Sequence, residues 1–383
     1  MILWQQIKMR SKDPHVRLKA IESLQAEQEA SARVLDVLAA GLKDEDVQVR
    51  CAAAKVLGEV KDERSVDLLL EALTDCTPEV RQTTATALGC LGITRAQDAL
   101  IQLLKSPNPQ DRASAGGALR SLGWIPVAAE ERALFEVAVG NSRGAAFRGE
   151  AAVDPLVSEL KHDTSFARRS AAEALEGLND PRRIKPLLTA ASDPDPTVRV
   201  SAIHALASEE EQPVVNTLLR ALQDHEVCVR LAAAQVLAKR DNPDFVPYFF
   251  NLLDDSNFEI RLATVQYLSR FRHAQITKAL VMFLSDTDSD VRLAAANGLS
   301  VSKDPGAVEG LVITLVDEER TIRQAAERAL NQIDTEWPRS EAAHQAGLRL
   351  EASMNTSPAW VRSAISQVLS RLQLSAEQVP VAE

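Results

Sequence analysis

The stretch Asp224-His225-Glu226-Val227-Cys228-Val229-Arg230-Leu231-Ala232-Ala233-Ala234-Gln235-Val236-Leu237 decides how the rest of the chain is read. Ahead of it, Val215, Leu218, Leu219 and Leu222 recur at helical spacing and draw an apolar stripe down one face of a first helix. Asp224-His225-Glu226 breaks that stripe with side chains that can accept from free backbone amides and that suit the positive end of a following helix. Val229, Ala232, Ala233, Val236 and Leu237 then form a second stripe, whose alanines let a neighbouring helix come close. One helical hairpin is predicted. Two amphipathic helices cannot enclose a core alone, so the hairpin must stack against others of its kind.

The others are present. Arg230 is one of eleven arginines, Arg17, Arg50, Arg81, Arg112, Arg168, Arg199, Arg230, Arg261, Arg292, Arg323 and Arg362, most of which follow Val or Ile and open Ala-rich sequence. Seven of the ten intervals are 31 residues, and the exceptions are 33, 56 and 39, the longest being one period plus 25. A fixed period of this length marks a tandem array, predicted to be all-α with about eleven stacked helical hairpins. The composition, 45% hydrophobic and 25% charged, suits a globular chain, and no period-two run is long enough for a sheet. The expected divisions are repeats over 1–122, a helical insertion over 123–147, repeats over 148–334, an irregular cap over 335–373 and a flexible tail over 374–383.

An Asp six positions before the arginine recurs at Asp44, Asp75, Asp193, Asp224, Asp255, Asp286 and Asp317. This Asp-turn-Arg signature resembles the HEAT repeat, in the short bacterial form found in phycobilisome-lyase-like proteins, over residues 12–333. The resemblance implies a right-handed α-solenoid whose second helices line a concave face. It also implies a ladder of bonds within and between repeats, through Asp193 and Arg199, Asp224 and Arg230, Asp255 and Arg261, and Asp286 and Arg292. A charge-assisted pair of this kind can tie the turn to the second helix. Ser106 and His162 replace the Asp on either side of the insertion, so the ladder is expected to break there.

Several function classes lose support. There is no apolar run of 18 residues, so no membrane span is expected, and the start Met1-Ile2-Leu3-Trp4 lacks the core of a signal peptide, which points to the cytoplasm. Cys51, Cys76, Cys90 and Cys228 form no Cys-x-x-Cys pair. A net charge of -11 argues against nucleic acid and for a neutral or basic protein partner. The six histidines are scattered and only His225-Glu226 forms a His-Glu pair, so no metal or other cofactor is expected. Asp286, Asp288 and Asp290 start like a calcium loop, but Val291 and Asn297 stand where such a loop needs Gly and Glu, which leaves them as a capping turn. No phosphate loop or nucleophile motif is present.

What remains is a surface. If the second, third, sixth and seventh residues after each arginine face the core, then the first, fifth and eighth share an exposed face. The first is Val200, Leu231, Leu262 and Leu293 in successive repeats, and the fifth is His204, Gln235, Gln266 and Asn297. An apolar row beside an uncharged polar row can hold an extended chain or a helix; alternatively, the leucines are edge-of-core residues. Eight of the 15 aromatics fall between Phe245 and Phe283. Phe249, Phe250 and Tyr267 align with core positions, whereas Tyr248 and Phe258 are expected to be accessible. In the insertion, Glu130–Val139 has helical spacing and an apolar face that must pack on something, as a structural elbow or a docking element. Trp337 and Trp360 are expected to close the end of the core. The reading is a non-catalytic scaffold that binds a protein or peptide, with a bilin lyase-like or chromophore-handling subunit as the alternative that the resemblance suggests.

Overall fold

The computed structural model describes residues 2–26, 31–60 and 62–376. Among them the elements are helices and short 3-10 turns, without a strand. The chain divides into two compact units, Met1–Leu206 and Ala207–Glu383. Each unit is built of stacked hairpins, so the all-α repeat reading holds.

The hairpin from which the reading began has its first helix at Gln212–Ala221 and its second at Val227–Ala238. The Asp224 carboxylate accepts from the Glu226 N–H at 3.0 Å, which occupies an amide that the helix leaves without a partner. Where the repeat supplies Asn257 or Asp288 in the turn, that side chain caps the next helix by accepting from Ile260, or from Asp290 and Val291. Along most of the array the arginine reaches back to its own turn and forward to the next. Arg230 Nη1 donates to the Asp224 and His225 carbonyls at 2.8 and 3.1 Å, while Nε and Nη2 donate to the two oxygens of Asp255 at 2.8 and 3.2 Å. The same clasp joins Arg17 to Asp44, Arg50 to Asp75, Arg168 to Asp193, Arg261 to Asp286 and Arg292 to Asp317. Arg199 likewise donates to the carbonyls of Asp193 and Pro194.

One expectation is refined and one corrected. Within a hairpin the arginine bonds backbone carbonyls, as Arg230 does those of Asp224 and His225, and its carboxylate partner, Asp255, lies in the following hairpin, so the ladder runs within and between repeats through different atoms. The ladder also does not break around the insertion. Arg81 meets Asp111 at 2.7 Å, with Ser106 donating to the same carboxylate, and Arg112 meets Glu159 at 3.2 Å. These substitute acids come from the helices themselves, which is why their spacing is irregular.

The clasps set an acid limit on stability. For Asp44, Asp75, Asp193, Asp255 and Asp286, burial pushes the carboxyl up. The arginine hydrogen bond, a backbone N–H two residues on and the arginine charge outweigh that, so each carboxyl sits below its usual range. Because the folded values are depressed, this stabilisation is complete above about pH 4, the unfolded value, and is lost as pH falls through the folded values. The urea midpoint should therefore hold between about pH 7 and 5 and drop below about 4. A midpoint indifferent to acid would mean that the clasps contribute nothing.

Second helices approach one another through small residues. A Cβ placed on Gly58 would lie 2.7 Å from the Ala87 Cβ, one on Gly89 would lie 2.8 Å from the Ala118 Cα, and one on Gly298 would lie 2.9 Å from the Ser269 Cβ. At each of these crossings one partner must lack a side chain.

The insertion belongs to the stack. Ala129–Ala138 packs against Pro109–Ser121 and also touches Gln97–Leu104 and Val153–Glu159, while the short helix Ser142–Ala146 packs on it and on Ser165–Glu176. Ala133, Val137 and Ala145 are buried, and the Trp124 and Phe135 rings meet edge-on at 5.6 Å. At the clasp edge the chain closes over it, through Arg112–Glu159 and a bond from Gln110 to Asp163. The apolar face that the sequence left without an address is thus a wedge within the first unit. At the other end Trp337 is buried under Arg371, whose guanidinium lies 5.2 Å from the ring, but Trp360 is 49% exposed. Only the first of the two expected capping tryptophans caps. Of the expected tail, 374–376 continue the last helix, Ala359–Ala376, and the rest lies outside the described residues.

Candidate protein-binding face

The helices Val227–Ala238, Phe258–Leu268 and Ser289–Ser302 pack side by side in the second unit. Their second, third, sixth and seventh residues after the arginine are buried, Ala294 alone being half-buried. The fourth position is buried too, as Ala234, Val265 and Ala296, all with no exposure. The signal for this was the run of small or β-branched residues there. The fifth residues, Gln235, Gln266 and Asn297, are exposed, and the first residues, Leu231, Leu262 and Leu293, are half-buried. In the first unit, Val200 and His204 on Pro196–Ala205 are both half-buried.

The leucines therefore stand at the rim of the core with one side toward solvent. Val227, 37% exposed, and Phe258, 40% exposed, lie four residues before Leu231 and Leu262 and extend the apolar strip by one helical turn. Sequence reading singled out Phe258 and missed Val227, which the same four-residue offset could have found. Tyr248, also 40% exposed, lies on the first helix Val246–Phe250, in the other helix layer. Of the rest of that cluster, Phe245, Phe249, Tyr267 and Phe283 are buried and Phe250 and Phe271 half-buried. Phe249 stacks on Tyr267 at 4.0 Å, Phe271 meets Tyr267 edge-on, and the Tyr267 hydroxyl donates to the Asn242 carbonyl. Burial pushes the Tyr267 phenol up to about 12.

The acids that resemble a calcium loop are tied to the fold. Asp286 is held by Arg261 and accepts from the Asp288 N–H, and Asp288 caps the next helix, as a turn requires. His225 lies 3.4 Å from Asp224 and 3.6 Å from Glu226. Among the described residues no group of three His, Cys, Asp or Glu could hold a metal ion. No helix there is long and apolar enough to cross a membrane. A cleft of about 620 Å³ in the first unit opens beside the wedge between Lys105, Arg112, Glu130, Leu134, Asp154 and Arg182.

No curated protein sequence matches the chain. Solved structures do, at low identity. The CpcE–CpcF complex of phycocyanin lyase from Nostoc sp. PCC7120 is 20% identical, with 62% of this chain and 87% of that one covered and a TM-score of 0.31. Human deoxyhypusine hydroxylase is 17% identical, with 87% and 96% covered and a TM-score of 0.29. A structure concerned with the interaction of cadherin and β-catenin is 13% identical, with 97% and 98% covered and a TM-score of 0.41. The family profile for HEAT repeats matches in overlapping segments at 3–79, 35–120, 69–136, 122–207, 153–228, 184–255, 215–299, 246–331 and 277–370. With its repeats matched from residue 3 to residue 370 and its arginine clasps linking one hairpin to the next, the chain belongs to the HEAT-repeat family.

Proposed function

We propose that the chain is a non-catalytic scaffold of the cytoplasm that holds a protein or peptide on the second-helix face of its second unit. One observation carries this: half-buried Leu231, Leu262 and Leu293 repeat once per hairpin beside exposed Gln235, Gln266 and Asn297. Leucines supply contact area and amides supply hydrogen bonds, without a charge to desolvate. The net charge of -11 favours a neutral or basic protein and disfavours nucleic acid. No cofactor is assigned. The alternative of a bilin lyase-like or chromophore-handling subunit rests on family resemblance and not on a feature of this face.

A photo-crosslinking amino acid at Gln266 should capture a partner from native lysate, whereas the same group at Met282, 67% exposed on the first-helix layer, should not. Equal capture at both positions would sink the assignment of this face.

A further inference from the structure

A leucine row and an amide row run across the helices Val227–Ala238, Phe258–Leu268 and Ser289–Ser302, and an acidic row across the last two of them, Cys228 standing in its place on the first. Exposed Glu259 and Asp290 precede Leu262 and Leu293 by three residues, and exposed Gln266 and Asn297 follow those leucines by four. On a helix these offsets put acid, leucine and amide on one face, the leucine about 4.5 Å along the axis from the acid and about 6 Å from the amide. Among the described residues neither the Glu259 nor the Asp290 carboxylate takes part in an ion pair. Packed helices stand about 8 to 10 Å apart, so each row repeats at that pitch.

The pitch selects the conformation of what can lie there. A polyproline-II chain has three residues per turn at about 3.1 Å each, so every third side chain returns to the same side after about 9 Å. A β-strand alternates sides, and a step of three residues, about 10 Å, turns the contact away from the surface. An α-helix can match the pitch with seven residues, about 10.5 Å, but its own backbone bonds leave nothing for an amide row to hold. Prolines present carbonyls without competing N–H groups, and the amide nitrogens of Gln266 and Asn297 can donate to carbonyls.

Building on the scaffold reading of this face, we propose that its occupant is a polyproline-II segment with an apolar residue at every third position and Lys or Arg at a second of the three positions. The apolar residues sit over Leu231, Leu262 and Leu293, and the cations face Glu259 and Asp290. In the next helix Gln324 and Arg328 replace the leucine and the amide, so the strip ends there. Two intervals of about 9 Å set the bound core at about seven residues.

The test uses labelled twelve-residue peptides, the full chain and fluorescence anisotropy. A peptide repeating Leu-Pro-Lys should bind at least about tenfold tighter than one repeating Ala-Pro-Lys, which has the same charge, and than one repeating Leu-Pro-Glu. Leu262→Glu should remove that advantage, and Glu259→Lys with Asp290→Lys should reverse the preference in favour of Leu-Pro-Glu. Equal binding of the Leu and Ala peptides, or tighter binding by a helical peptide with leucine every seventh residue, overturns the proposal. So does binding that ignores these substitutions. If Gln266 crosslinks a partner and the Leu-Pro-Lys peptide still shows no advantage, the polyproline assignment fails while the scaffold reading stands. If Gln266 captures no more than Met282, the scaffold reading fails with it.

Discussion

Replacing Arg230 by Ala is expected to cost about 2 to 4 kcal/mol, because it strips the partner from a buried carboxylate and leaves two turn carbonyls unbonded. The pair is sequestered, with side-chain exposures of 15% for Arg230 and 7% for Asp255, so water cannot replace what is lost. The clasp predicts which second change couples. In double-mutant cycles Arg230→Ala should couple strongly to Asp255→Ala, by about 1 to 3 kcal/mol, and weakly to Asp224→Ala, whose carboxylate bonds the Glu226 amide. Chemical denaturation of the four proteins measures both terms. Strong coupling to Asp224 and none to Asp255 would restore the pairing within one hairpin.

Gly58→Val should be the most damaging conservative change in the first unit. Even the Cβ would lie 2.7 and 2.8 Å from the Cβ and Cα of Ala87, so the helices Val47–Val60 and Pro78–Leu91 must move apart along their length. Overpacking of this kind costs about 1 to 3 kcal/mol or more, and here the obstacle includes backbone, which cannot rotate away. The milder Gly58→Ala should be partly rescued by Ala87→Gly, since the Ser269–Gly298 crossing already has its glycine on the later helix. A melting temperature unchanged by Gly58→Val would show that the two helices separate freely.

These two results bear on what the sequence disclosed. The hairpin was legible because stripe, turn and stripe repeat at 31 residues, and each level of the pattern agrees with the next. The partner of each arginine was not, for an arithmetical reason. An Asp six before one arginine is also 25 after the previous one, so the period cannot tell Asp224 from Asp255 as the mate of Arg230. Geometry decides, since the guanidinium at the start of the second helix spans its own turn through carbonyls and meets the next turn through a carboxylate. Asp111 and Glu159 were illegible because they stand on helices at offsets that no other repeat uses. The close crossings at Gly58, Gly89 and Gly298 were hidden because the glycine sits at the eighth position after the arginine in two hairpins and at the sixth in the other.

The candidate face was legible in part. The amide row and the leucine row follow from the columns counted after each arginine and Phe258 from the aromatic cluster, whereas Val227, Glu259 and Asp290 lie up to one turn before the arginine, outside those columns. Tyr248 is accessible, as expected, but stands on the other helix layer. Its neighbour in sequence, Phe249, is core, which shows how little a local aromatic cluster says about a surface.

The most direct test of the scaffold is the double substitution Leu231→Glu with Leu262→Glu, followed by thermal melting and partner capture on one preparation. The leucines have a solvent-facing side on which a carboxylate can remain hydrated, so the melting temperature should barely move. Each anchor at a partner interface is worth about 2 kcal/mol or more, so binding should fall by roughly thirtyfold per residue. An unchanged melt with lost capture is the predicted result; an unchanged melt with capture intact, or a loss of stability by a few kcal/mol through buried charge, would contradict it.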